Sequence, residues 1–231
     1  KKNILIISAH PDDETLGCGG TIALLKSNKH RVKIIYLADG VTARFERQDI
    51  YSDIAKKKIK ERKDLSLKSN RNLGINKKDI KFFDLDCCRL DQFPIIDLAK
   101  IIEKEIKSFK PSIIFTNSFY DLNVDHKKIY EATLIATRPN VYNFIEEIYS
   151  YEVMSSSNFN LENPFKPNTF VDISKFMKKK KKSLKLYKSE IPSFPHPRSI
   201  KMIESLAMYR GSQSGYKFAE GFRLLRKNIK F

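Results

Sequence analysis

The residues best placed to do chemistry stand together near the start of the chain, in Ala9-His10-Pro11-Asp12-Asp13-Glu14. One His and two Asp, His10, Asp12 and Asp13, fall within four residues at the end of a short apolar run, Ile4-Leu5-Ile6-Ile7, which reads as a buried strand. That is a poor way to build a core and a good way to build a metal site. His10 and Asp13, spaced i, i+3, can both reach one divalent ion, which leaves Asp12 between them to handle a proton. The plainer reading of Asp12 is a turn-capping residue. The glycine-rich stretch that follows, Gly17-Cys18-Gly19-Gly20, reads as a turn.

A catalytic zinc takes three protein ligands and leaves one position for water, so a third ligand is needed beside His10 and Asp13. The remaining histidines are His30, His126 and His196. His30, between Lys29 and Arg31, reads as an exposed turn residue. His126 closes the polar run Asn117-Ser118-Phe119-Tyr120-Asp121-Leu122-Asn123-Val124-Asp125-His126. Taken alone, a His at a helix start behind the good N-cap type Asp125 reads as a surface or capping residue; the need for a third ligand makes it the best candidate. Cys18, Cys87 and Cys88 are odd in number and irregular in spacing, so none is assigned as a ligand. They form no disulfide framework and agree with a reducing compartment. Cys18 reads as a small packing residue.

These side chains need elements to carry them. Strand-like and helix-like segments alternate along the chain, which predicts a Rossmann-like α/β three-layer sandwich, with a mostly parallel sheet and helices on both faces. Strands are expected at 3–8, 32–37, 80–83, 112–116 and 148–153. Helices are expected at 21–28, 52–73 with Gly74 as C-cap, 95–109, 125–137, 174–187 and 199–210. Residues 155–167, rich in Ser, Asn and Pro, read as a loop, and 191–197 as a Pro-rich turn. The whole of 1–231 is expected to form one domain, a Rossmann-like core over 1–153 and a C-terminal elaboration over 154–231. In such a sheet ligands bind outside the carboxyl ends of the strands, where the strand order reverses, and the first and fourth strands are neighbours there. The loops carrying His10 and His126 therefore converge on one crevice.

Composition narrows the partners. The chain has 231 residues, 41% of them hydrophobic, and no apolar stretch approaches the roughly 20 residues that span a bilayer. With no visible leader segment, the expectation is a soluble cytoplasmic protein. A formal charge of +17 invites a nucleic-acid reading. The excess is mostly Lys spread along the chain without aromatic–basic interleaving, so no stable nucleic-acid partner is expected. The lysine run 178–182 reads as the solvated face of a helix. The charge would also suit an anionic substrate. Oligomeric state is left open, a homo-oligomer included.

AHPDDE with its glycines resembles the signature of the LmbE-like/PIG-L superfamily of zinc-dependent de-N-acetylases. The similarity extends through Asp39-Gly40-Val41-Thr42-Ala43-Arg44, the Asp125-His126 segment, Asp172-Ile173-Ser174, Phe194-Pro195-His196-Pro197-Arg198-Ser199, Arg210-Gly211 and Ala219-Glu220-x-Phe222, nearly the whole chain. The resemblance implies hydrolysis of the N-acetyl group of an amino sugar, with zinc on His10, Asp13 and His126 and Asp12 as general base. Many relatives carry a second His three residues before the metal His. Asn123 stands there, able to donate a hydrogen bond to the oxyanion but unable to titrate, so Asp12 would serve as base and then acid. Arg44, His196 and Arg198 are candidates for holding the sugar or an attached phosphate, and read equally well as structural arginines and a loop His.

Three alternatives stay open. One is an amidase acting on another sugar-linked amide. Another is a dinucleotide binder, although Gly17 to Gly20 lacks the G-x-G-x-x-G spacing. The last is a basic nucleic-acid-binding module.

Overall fold

The computed structural model describes residues 1–139, 142 and 144–229. Its strands are β1 (Asn3–Ser8), β2 (Arg31–Ala38), β3 (Ile80–Leu85), β4 (Ile113–Asn117), β5 (Glu147–Tyr151), β6 (Thr169–Asp172) and β7 (Ala219–Lys227). Its α-helices are α1 (Asp13–Ser27), α2 (Asp53–Leu73), α3 (Ile95–Phe109), α4 (Val124–Ala136), α5 (Met177–Leu184) and α6 (Ile200–Ser212). The strands form one sheet in the order β3-β2-β1-β4-β5-β7-β6. The first five are parallel, and β7 runs antiparallel to both β5 and β6. This is the expected three-layer α/β sandwich. The order reverses between β1 and β4, which pair directly through Ile4 and Ile113, Leu5 and Ile114, and Ile6 and Phe115.

The layers follow from alternation along the buried strands. Ile4 and Ile6 of β1 face a core shared with Leu16 and Ile22 of α1, Leu73 of α2, Met177 and Leu184 of α5, and Ile203 and Ala207 of α6. Leu5 and Ile7 face the opposite core, filled by Leu98, Ile102 and Ile106 of α3 and by Ile129, Ala132 and Ala136 of α4. The ends of α2 follow their local chemistry. Ser52 Oγ accepts the Ala55 N–H at 3.2 Å, and Gly74 closes the helix with φ 100°.

Two expectations needed correction. Gly17-Cys18-Gly19-Gly20 is not a turn but lies inside α1, which begins at Asp13 rather than Thr21. A Cβ on Gly17 would stand 2.4 Å from Tyr151 Cδ2, and one on Gly20 would stand 2.6 Å from Ile173 Cγ2. The glycines are there because the helix lies hard against its neighbours, and that packing outweighs their poor helix propensity. Strands β6 and β7 were also missed; both belong to 154–231, so this segment extends the sheet as well as adding helices. Cys18 is fully buried, as a packing residue would be. Among the described residues, no helix is long and apolar enough to cross a membrane.

Candidate metal and catalytic site

The chain leaves β1 at Ser8 and enters α1 at Asp13, so four residues must turn from strand to helix at the sheet's carboxyl edge. Asn117, the last residue of β4, ties this loop down by accepting the Ala9 N–H at 2.8 Å and donating to Asp13 Oδ2 at 3.2 Å. Asp12 adopts φ 147°, a backbone geometry rare for L side chains that costs about 1–3 kcal/mol. Its surroundings enforce it. The Asp12 N–H donates to Glu14 Oε2 at 3.1 Å, its carbonyl accepts the Leu16 N–H at 2.9 Å, and Arg62 donates to the Pro11 carbonyl at 3.2 Å. The turn sends the two adjacent carboxylates to different partners, Asp13 to the histidines and Asp12 to the arginines.

His10, Asp13 and His126 converge as expected. His126 Nε2 lies 3.3 Å from His10 Nδ1 and 3.1 Å from Asp13 Oδ2, and His10 Nδ1 lies 3.4 Å from Asp13 Oδ2. Ligands about 2.0–2.1 Å from a tetrahedral metal stand about 3.3 Å apart, so this triangle has the dimensions of one tetrahedral face. Asp13 Oδ1 is buried without a hydrogen-bond partner among the described residues, an orphaned anionic oxygen that a cation would satisfy. Two imidazoles and a carboxylate, all buried, fit a divalent metal in donor type, spacing and charge.

Each histidine is aimed by a further carboxylate. Asp125 Oδ2 accepts His10 Nε2 at 2.9 Å together with the Cys88 N–H at 2.6 Å, while its Oδ1 accepts the Leu90 N–H at 3.0 Å. Asp121 Oδ2 lies 2.9 Å from His126 Nδ1, an ion-pair contact outside hydrogen-bond geometry, and accepts the hydroxyls of Ser156 at 2.9 Å and Ser157 at 2.7 Å. The Asp125 hydrogen bond sets the tautomer of His10 and leaves its inner nitrogen for a metal, and the Asp121 carboxylate favours a proton on the His126 nitrogen that faces it. Without a metal, burial acts to lower the His10 pKa but is outweighed by its hydrogen bonds to Asp125 and Asp13, which leave it raised to about 10. The His126 pKa is raised in the same way by Asp13 and Asp121. The carboxylates thus demand positive charge at this point, met by protons when no metal is bound.

Asp12 is equally buried, and its Oδ2 receives Arg198 at 3.0 Å and Arg62 at 3.2 Å. Burial pushes its pKa up, Arg198 and Arg62 pull it back, and Asp13 and Glu190 push it up again; the net shift is upward. Glu190 completes the cluster, paired with Arg62 and, at 2.7 Å, with Arg44. His10, Asp12, Arg44, Asn123, Glu190 and Arg198 line one cleft of about 160 Å³.

Of the residues named from the sequence, Asp13 and His126 are buried against His10 rather than lining this cleft, and His196 is not brought to the site. It is exposed, and its Nδ1 accepts the Arg198 N–H at 3.1 Å, so it shapes the loop that presents Arg198. Asn123 is the N-cap of α4; its Oδ1 accepts the Asp125 N–H at 2.9 Å, and its side chain borders the cleft. Sequence reasoning missed Arg62, Glu190, Asn117 and the orienting roles of Asp121 and Asp125. The two aspartates lay in the polar run already singled out, where two more acids within five residues of a candidate ligand His were a usable signal. Arg62 sits in a helix crowded with lysines and carries none.

With this geometry in hand, the comparisons are decisive about kinship. Residues 5–137 match the GlcNAc-PI de-N-acetylase family, PIG-L. The chain belongs to that family. The diacetylchitobiose deacetylase of Thermococcus kodakarensis is 28% identical over 231 residues, 97% of this chain and 83% of that protein. A probable N-acetyl-alpha-D-glucosaminyl L-malate deacetylase of Bacillus subtilis is 30% identical over 59% of this chain and 61% of its own length. The solved N,N'-diacetylchitobiose deacetylase of Pyrococcus horikoshii superposes with TM-score 0.78 at 23% identity, covering 97% of this chain and 84% of that one. The fold also serves other chemistry. GalB, the 4-carboxy-2-hydroxymuconate hydratase of Pseudomonas putida, superposes with TM-score 0.75 at 20% identity over 100% of this chain and 99% of its own. The PIG-L scaffold of this chain therefore carries its function in the site.

Proposed function

We propose that the protein is a metal-dependent N-deacetylase that hydrolyses the N-acetyl group of an amino sugar, with zinc as the metal. The observation that carries the reading is the buried His10–Asp13–His126 triangle with Asp12 beside it, free of the histidines. The deacetylase names of the relatives support the amino-sugar class. Zinc rather than another ion suits the two-His, one-carboxylate set, and when bound it polarises the acetyl carbonyl and lowers the pKa of a water toward about 7.

The chain's own residues do the rest. Arg198 and Arg62 hold Asp12 Oδ2, while nothing among the described residues hydrogen-bonds Oδ1, which is left to take a proton from the attacking water. Attack forms the C–O bond; collapse breaks the C–N bond, and the proton held by Asp12 passes to the leaving amine, giving acetate and a free amino sugar. Asn123 at the cleft wall donates its amide N–H to the developing oxyanion. Arg44, at the mouth, and Arg198 meet the sugar or an attached anion. Residues 154–231 belong to the same working domain, since Glu190 and Arg198 come from them.

A screen of N-acetylhexosamine derivatives, free and linked to nucleotide, lipid or a second sugar, read as acetate release from the zinc-loaded protein, tests the proposal. Release that disappears on chelation and returns with zinc supports it. Full zinc occupancy with no release from any amide in the panel would count against it and favour a reaction like that of the hydratase.

A further inference from the structure

Two side chains at the cleft have no part in that chemistry. Cys87 is buried and Cys88 exposed, both unbridged, at the carboxyl edge beyond β3. Their backbone is held firmly: Cys87 N–H donates to Thr42 Oγ1 at 2.7 Å, and Cys88, with φ 57°, donates its N–H to Asp125 Oδ2 at 2.6 Å. The two sulfurs stand 3.8 Å apart. Thiolates about 2.3 Å from a tetrahedral zinc define an edge of about 3.8 Å, so the spacing is that of two ligands of one ion. A carboxylate of Asp125 and a nitrogen of His10 lie with both sulfurs inside one 4.8 Å group. Asp125 receives three N–H groups, and a carboxylate offers about four lone-pair directions, so one is left. The cleft supplies solvent for the fourth position.

We infer that Cys87, Cys88 and the Asp125 carboxylate form a second metal site, distinct from the His10–Asp13–His126 triangle, that takes a thiophilic divalent cation. Thiolates favour zinc or cadmium over magnesium or calcium. Binding displaces the two thiol protons to solvent and leaves His10 with the first site. The two sites share Asp125, which orients His10, so loading the second draws on the carboxylate that aims a ligand of the first. Excess metal therefore inhibits; that consequence alone rests on the proposed deacetylase activity.

The experiment is a cadmium titration of the reduced full chain, followed by the ultraviolet thiolate-to-cadmium absorption and by metal analysis. The expected result is two equivalents per chain, one of them with the thiolate band. Cys88→Ser, at an exposed position, should lose the second equivalent and at least half of the band. His126→Ala should lose the other equivalent and keep the band, which separates failure of this site from failure of the first. Cadmium should also slow alkylation of both cysteines in the wild type more than tenfold, a reading that needs no variant. A single equivalent, a second equivalent without the band, a band unchanged in Cys88→Ser, or unprotected thiols would each overturn the inference.

Discussion

Asp121 touches neither candidate ligand nitrogen, yet in the proposed metal site it is expected to be a determinant of metal affinity. Its Oδ2 faces His126 Nδ1 at 2.9 Å, and its Oδ1 accepts the Asn123 N–H at 2.9 Å. Asp121→Asn keeps the shape and removes this double acceptor. If the new amide nitrogen faces His126, it donates to Nδ1 and forces the proton onto Nε2, the atom needed by the metal. If it faces Asn123 instead, two N–H donors meet in a buried site. Either outcome disturbs a carboxylate–histidine–metal triad, for which losses of about 10–100-fold in metal affinity are typical, equivalent to about 1.4–2.7 kcal/mol. The assay is competition for zinc against a chelator of known affinity, with melting of the metal-free proteins alongside. The expected result is a weaker zinc affinity at a metal-free stability lowered far less. Zinc affinity equal to wild type would refute the argument that Asp121 sets the tautomer of His126.

Three further outcomes are expected. Asp12→Asn should retain its metal but lose about 10²–10⁴-fold in turnover, since a positioned base contributes that much; retention of the wild-type rate with full metal would move the base elsewhere. Gly17→Ala should lower stability by about 1–3 kcal/mol despite the better helix propensity of Ala, because the new methyl meets the Tyr151 ring; a melting midpoint at or above wild type would contradict it. In the metal-free protein, burial raises the Glu14 pKa to about 7, and the His10 pKa stands near 10. The corresponding unfolded values are about 4.3 and 6.5, so the folded chain binds the extra protons and stability should fall as pH rises from about 4.3 through 7 and on toward 10. Denaturant unfolding after chelation, between pH 6 and pH 9, reads this, and a rising stability there would contradict it.

How far the sequence went depends on whether a signal was local. The strand-end cluster and the β1–β4 crevice were legible because an apolar run, a pair of polar loops and a topological rule suffice to bring His10, Asp13 and His126 together. The start of α1 was not. Gly17 and Gly20 carry a local preference for a turn, and only Tyr151 and Ile173, distant in sequence, explain why small residues are needed within a helix. β7 escaped notice because Ala219–Lys227 mixes Gly, Glu, Arg and Lys with its apolar residues; pairing with β5 and β6 on either side makes it a strand. Arg62 stood out no more than its cationic neighbours on α2, since the fold alone decides which of them turns inward to Asp12. The orienting acids were visible as residues but not as roles, because which acid faces which ring depends on the curl of the loop between β4 and α4.

The most direct measurement is acetate release by chelator-stripped protein as one equivalent of zinc is returned, run beside His126→Ala. Wild-type activity is expected to rise to a plateau at one zinc per chain, and His126→Ala to stay without activity while folding normally. Activity in the stripped protein, or a His126→Ala protein with full zinc occupancy and wild-type turnover, would contradict it.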